Sequence, residues 1–290
     1  MGSGSWSATN YVSYNTSTRG VTTSATGAAV FDGLVYQDVF KSRSTDPMLD
    51  PKNIMRECRD SEEHPNTIPV IIACDLTGSM TDVGMKVASQ IGVIVQDLFN
   101  KYDDVQICVM GIGDLAYDTD PIQIGQFESD IRIAEQLDKL YFERGGGGNG
   151  FESYTAAWYY GARHCDLDCW KRGKKGIIIT TGDEPLNPYL PKVELSSVSG
   201  DGLEADVETK ALYEEAAEKF DIYHIAVNDR RTSYRYYKNR IDTSFGEILP
   251  EGHLKVGTLD SLASDIVDCI DDALSNDSYI MQKNDGGISW

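Results

Sequence analysis

Positive charge is in short supply in this chain. Its 290 residues include 26 Lys+Arg against 46 Asp+Glu, a formal net charge of −20. Nucleic-acid affinity comes largely from neutralising phosphates, so a chain this acidic is not expected to bind nucleic acid. Long apolar runs are missing as well: the clearest, residues 68–74, falls far short of the ~20 residues of a membrane helix. No membrane partner is expected. Histidine is rare, with His64, His164, His224 and His253 the full set, and no Gly-x-Ser-x-Gly elbow is present, which argues against acyl transfer. A non-enzymatic role is expected. The six cysteines sit mostly inside apolar patterns, as reduced core thiols do. The start of the chain lacks the basic-then-apolar order of a signal peptide. These features together point to a cytoplasmic location.

What is present is enough apolar material, 41% of residues, to bury a sizeable core. Residues 1–29 are rich in Ser, Thr, Gly, Asn and Tyr without periodicity, and read as an N-terminal arm that is mobile or orders against a partner. Residues 30–67 read as an approach segment packed on the domain edge. Residues 68–275 carry the main domain, and 276–290 a tail. Within the domain, short β-branched runs alternate with longer amphipathic ones. This predicts an α/β fold, a Rossmann-like open sheet of six mostly parallel strands with one antiparallel edge strand and helices on both faces. The strands fall at 70–74, 105–112, 122–127 (the edge), 176–181, 222–227 and 253–256. Helices fall at 83–99, 131–140, 152–164, 206–220 and 259–274. Two long connections remain, 186–205 and 228–252.

The strongest local signal is Asp75-Leu76-Thr77-Gly78-Ser79-Met80, between the first core strand and the first core helix. Ligands of open parallel sheets collect at the carboxyl ends of strands. A carboxylate and two hydroxyls at i, i+2 and i+4 on a tight loop can turn to one point, and hard oxygens of this kind suit Mg²⁺. The plain alternative is a turn followed by a helix cap, places that Asp, Thr and Ser favour anyway.

Asp75-x-Thr77-x-Ser79 after an apolar strand resembles the metal-ion-dependent adhesion site of the von Willebrand factor A domain family, in its intracellular prokaryotic and phage form. The resemblance extends over roughly residues 68–274 in element order. It implies two more loops on the same face. One is Gly145-Gly146-Gly147-Gly148-Asn149-Gly150-Phe151-Glu152, in which Asn149 stands for an acidic ligand and Glu152 opens the next helix. The other is Thr180-Thr181-Gly182-Asp183, with Asp183 displaced by one residue from the family's usual Thr-Asp-Gly. The implied cofactor is Mg²⁺, with Mn²⁺ or Ca²⁺ as substitutes, held by Asp75, Thr77, Ser79, Asp183 and Asn149. The implied partner is a protein that presents Asp or Glu to the ion. Glu152, Arg144, Arg230, Arg231, Tyr234 and Arg235 are candidate partner contacts, because Arg and Tyr favour binding surfaces. The rival reading is a structural protein that forms a homo-oligomer through its N-terminal arm, with the metal site structural or vestigial. Cys165-x₃-Cys169 hints at zinc but lacks a second Cys/His pair nearby in sequence.

Overall fold

Ile68–Asp75 is buried at all eight positions, and a strand without an exposed face needs cover on both sides. The computed structural model describes residues 4–143 and 149–276. In chain order these form α1 (Ala8–Tyr14), α2 (Tyr36–Val39), β1 (Arg56–Cys58), β2 (Ile68–Asp75), α3 (Thr81–Lys101), β3 (Val105–Ile112), β4 (Ile122–Ile124), α4 (Arg132–Leu137) and α5 (Thr155–Arg163). There follow β5 (Cys165–Leu167), β6 (Gly176–Gly182), β7 (Tyr189–Leu190), α6 (Lys192–Ser199), β8 (Val207–Glu208), α7 (Thr209–Ala217), β9 (Phe220–Val227), α8 (Tyr234–Gly246), β10 (Leu254–Gly257) and α9 (Leu262–Asn276).

The main sheet runs β10-β9-β6-β2-β3-β4, parallel throughout except for β4 at the edge. It is the expected Rossmann-like α/β architecture. Alternation along β2 divides the core. Val70, Ile72 and Cys74 join the layer of α3 and α9, whereas Ile71 and Ala73 join the layer of α5, α7 and α8. The chain passes from β2 to β3 on one side and later to β6 on the other, so the carboxyl ends of β2 and β6 flank the point where the strand order reverses. That crevice is where ligands of such sheets bind.

The described part of the arm is ordered, against the expectation of mobility. α1 lies on α3, and Tyr11 packs so close to Gly92 that a Cβ there would sit 2.3 Å from the ring. Arg19 reaches down to Asp138 through Nε (2.7 Å) and Nη2 (2.6 Å), and Tyr14 Oη donates to the same carboxylate at 2.9 Å. Ala29 N donates to Ser89 O and Ser89 Oγ to Ala29 O, which fastens the end of the arm to α3. The sequence reading failed here because the anchors are Tyr, Asn and Arg, which carry no apolar period.

The long connections also differ from expectation. Residues 186–205 contain β7 and α6, and 228–252 contain the thirteen-residue α8, whose inner face is Tyr234, Ile241 and Phe245. All six cysteines are free and buried.

Candidate functional site

Asp75 ends β2 and is fully buried. Its Oδ1 accepts from Thr77 N at 2.9 Å and from Thr77 Oγ1 at 2.5 Å, so the turn after the strand folds over its own carboxylate. Ser79 lies in the 3₁₀ turn Gly78–Met80 that leads into α3, and its Oγ donates to Asp183 Oδ1 at 3.4 Å. Asp183 follows β6 directly, is itself buried, and accepts a short hydrogen bond from Ser233 N at the start of α8. The loops after β2, β6 and β9 thus meet at one point, with Asp75, Thr77, Ser79 and Asp183 together.

Tyr154, just ahead of α5, joins the two carboxylate loops. Its Oη donates to Asp75 Oδ2 at 2.7 Å and accepts from the backbone N of Asp183 (3.2 Å) and Glu184 (3.3 Å). A Cβ on residue 182 would lie 2.0 Å from that hydroxyl, which explains why glycine precedes the acid in Gly182-Asp183. Sequence reasoning missed Tyr154, although this inverted Gly-Asp order was its trace.

The electrostatics are lopsided. Burial, then the charge of Asp183, pushes the Asp75 carboxyl up to about 8. Asp183 is raised by burial against the opposing pull of its hydrogen bonds from Ser233 and Ser79. Glu152 is raised well above the carboxylate range by burial and then by Asp75. Glu184 rises to about 7 through burial and Asp183, and Asp118 to about 6 mainly through burial. Arg240 offsets part of this at Glu184. Buried like charges destabilise one another unless a cation joins them. Two carboxylates and two hydroxyls make an oxygen-only donor set, the kind that hard divalent ions take. The residues present therefore fit such an ion. Among the described residues no group of three or more His, Cys, Asp and Glu is arranged to hold a metal, so an ion here would depend on the hydroxyls.

The other expected site residues are scattered. Asn149 is exposed, with Oδ1 accepting from Phe151 N at 2.9 Å, and it lies beside Asp114. Glu152 does not open a helix: α5 begins at Thr155, and Glu152 forms an isolated parallel bridge with Leu186. Tyr234 is 3% exposed and packs in the core, so it is not a surface contact; Tyr236, 84% exposed, takes that place on α8. Arg231 is tied to Asp82 by a short ion pair, while Arg230 and Arg235 are exposed. Arg144 and residues 145–148 lie outside the described residues. Asp114, two residues past β3, and Glu184 were not singled out from sequence.

No family model matches the chain, and no curated protein matches it. Among solved structures it is similar to the pilus adhesin SpaC from Lactobacillus rhamnosus GG in its open conformation. The identity is 11% and the TM-score 0.48, over 78% of this chain and 31% of the adhesin. A second structure of that adhesin gives the same identity and score over 78% of this chain and 32% of the adhesin. The chain spans about a third of the adhesin's length. No helix among the described residues is long and apolar enough to cross a membrane.

Proposed function

We propose that this chain is a von Willebrand factor A-like module that binds a partner protein through a divalent cation, Mg²⁺ by preference. Asp75, Thr77, Ser79 and Asp183 would hold the ion. The observation that supports this most is the meeting of Ser79 and Asp183, 3.4 Å apart, over the buried Asp75 at the switch point of the sheet. When bound, the ion would neutralise the paired carboxylates and accept an Asp or Glu oxygen from outside. Tyr154 keeps the two acid-bearing loops in register, and Ser233 N holds one oxygen of Asp183. Exposed residues on the same edge, Arg230, Arg235 and Tyr236, would supply the rim of the contact. The six free, buried thiols fit a reducing, cytoplasmic setting. The rival role in assembly through the arm would require Arg19 and Tyr11 to leave a well-packed seat on their own domain.

Calorimetric titration of Mg²⁺ and Mn²⁺ into metal-stripped protein tests the reading, with thermal melting alongside. We expect one ion per chain and a raised melting temperature, both lost in Asp75→Ala and in Asp183→Ala. A wild-type protein that neither takes up ion nor gains stability at millimolar metal would sink it.

A further inference from the structure

Three arginines among the described residues lie against ring faces, and their hydrogen bonds set one of them apart. Arg19 has the rings of Tyr11, Tyr14 and Phe31 within 5.7 Å and gives its N–H groups to Asp138 and Tyr11 Oη. Arg163 lies 4.9 Å from the Tyr159 ring centroid and forks Glu215. Arg240, in the middle of α8, lies 4.6 Å from the Phe151 ring centroid and 5.2 Å from that of Tyr237, yet among the described residues no hydrogen bond or ion pair takes its N–H groups. It is also exposed, so the rings steady the guanidinium without closing it off. Gly150 brings its loop up to the same spot: with φ at +68°, a Cβ there would lie 2.8 Å from Tyr237 Oη and 3.3 Å from Arg240 Nη1.

The position is next to the Asp75 site. α8 starts one residue after the Ser233 amide that holds Asp183, and Arg240 lies about two turns on, ~10 Å along the axis. Arg240 acts on Glu184, and the Tyr237 phenol is raised by burial, then by Glu184, and further by Asp183. The local charge is the reverse of the chain's. Residues 230–240 carry five of the 26 Lys+Arg and no acid, in a chain at −20. An unspent guanidinium on such a segment matches an anion, and its planar fork matches a carboxylate edge.

We propose that Arg240 is a clamp for a carboxylate of the partner protein, an Asp or Glu that accepts two parallel N–H···O bonds while Phe151 and Tyr237 hold the guanidinium plane. A phosphate dianion suits the place less well, because Glu184 and Asp183 repel its second charge. The clamp itself needs no ion and so goes beyond the cation reading. Taken with that reading, on which this clause rests, it describes a partner segment with two acids about 10 Å apart, the reach of three extended residues.

The test is an NMR titration of the full chain with Nα-acetyl-glutamate amide, in chelator and low salt. It follows the Arg240 Nε–Hε peak and the backbone amides of residues 150, 151, 237 and 240. Nα-acetyl-glutamine amide serves as the neutral isostere and inorganic phosphate as the rival anion. We expect a dissociation constant on the order of 10 mM, as a single small fragment gives, with weaker binding of phosphate and none of the glutamine compound. Arg240→Lys keeps the charge but loses the fork, and should weaken binding about threefold or more; Arg240→Gln should weaken it about tenfold or more. Arg163→Gln, which removes a guanidinium already spent on Glu215, should change nothing. Amide dispersion reports whether each variant folds, and the wild-type comparison of the three ligands carries the test where one does not. Absence of shifts around Arg240, equal shifts with the glutamine compound, phosphate binding as tight as the carboxylate, or a folded Arg240→Lys protein that binds like wild type would each overturn the proposal. Because the ion is absent throughout, a negative result here leaves the metal titration standing, and a failed metal titration leaves the clamp standing.

Discussion

Two carboxyl groups in this chain live very different lives. Asp138, on the arm side, is met by a guanidinium fork from Arg19 and a phenol from Tyr14, and Arg19 also donates to Ala88 O at 3.2 Å. Its charge is matched in full from within the chain. Asp75, at the carboxyl end of the sheet, is fully buried where the Asp138 side chain stays 14% exposed, and it faces a second carboxylate, with hydroxyls and an amide as its hydrogen-bond partners. Burial alone does not mark a functional group; burial without an internal counter-charge does. The first arrangement fastens the arm, whereas the second sets two carboxylates against each other at the crevice where sheets of this kind bind ligands.

The sharpest way to break this comparison is to make Asp138 resemble Asp75. Arg19→Ala strands a buried carboxylate and should cost about 3–5 kcal/mol of unfolding free energy in urea melts, with the arm released first to limited proteolysis. A loss under 1 kcal/mol would mean that solvent reaches the pair freely.

The reverse operation, easing the crowding at Asp75, should move stability the other way. Asp75→Asn removes a carboxyl that folding must either protonate or leave charged beside Asp183, and should raise the stability of metal-free protein by about 1–3 kcal/mol, while abolishing any gain from Mg²⁺. A destabilised Asp75→Asn protein would show that the two carboxylates do not burden the fold.

A third test uses His224, fully buried against Phe245 at 3.9 Å between ring centroids, with Nδ1 sharing a hydrogen bond with Thr180 Oγ1. Burial lowers this imidazole from 6.5 to about 3. Between those values the unfolded chain takes up a proton that the folded one refuses, so the stability present above pH 6.5 drains away as pH falls toward 3. The share of His224 between pH 7 and pH 5 is about 2 kcal/mol. His224→Phe should flatten that limb of the pH–stability curve, and an unchanged slope would assign the acid sensitivity elsewhere.

The smallest effect belongs to Arg163 and Glu215, a pair with the same forked geometry as Arg19 and Asp138, at 2.9 and 2.7 Å, but about a third exposed on each side. Arg163→Gln should cost less than about 1 kcal/mol, because water screens the pair. If it matched Arg19→Ala, geometry rather than burial would set the strength of these bridges.

The core strands were legible because a doubly covered strand is apolar at consecutive positions; residues 105–112 were read with their true ends. The ends of helices were less so, since α5 starts three residues later than expected, where Glu152 is held by Leu186 instead of a helical turn. α8 escaped notice because its run Tyr-Arg-Tyr-Tyr-Lys-Asn-Arg looks like a polar loop, although Tyr234, Ile241 and Phe245 do fall on one helical stripe. At the site, Asp75, Thr77 and Ser79 were readable from strand-end position and spacing, and Asp183 from the family resemblance. Tyr154, Asp114 and Glu184 were not, because what unites them with Asp75 is proximity across loops distant in the chain.

The single phenolic hydroxyl of Tyr154 accepts from two consecutive backbone amides, those of Asp183 and Glu184, while it donates to Asp75. Amides in a strand-end loop ordinarily trade their protons with solvent quickly. These two can do so only when the loop lifts away from the phenol, an opening that must also uncover the Asp75 carboxylate. Their deuterium uptake is therefore a built-in clock for exposure of the site, one that runs without any label or bound ligand.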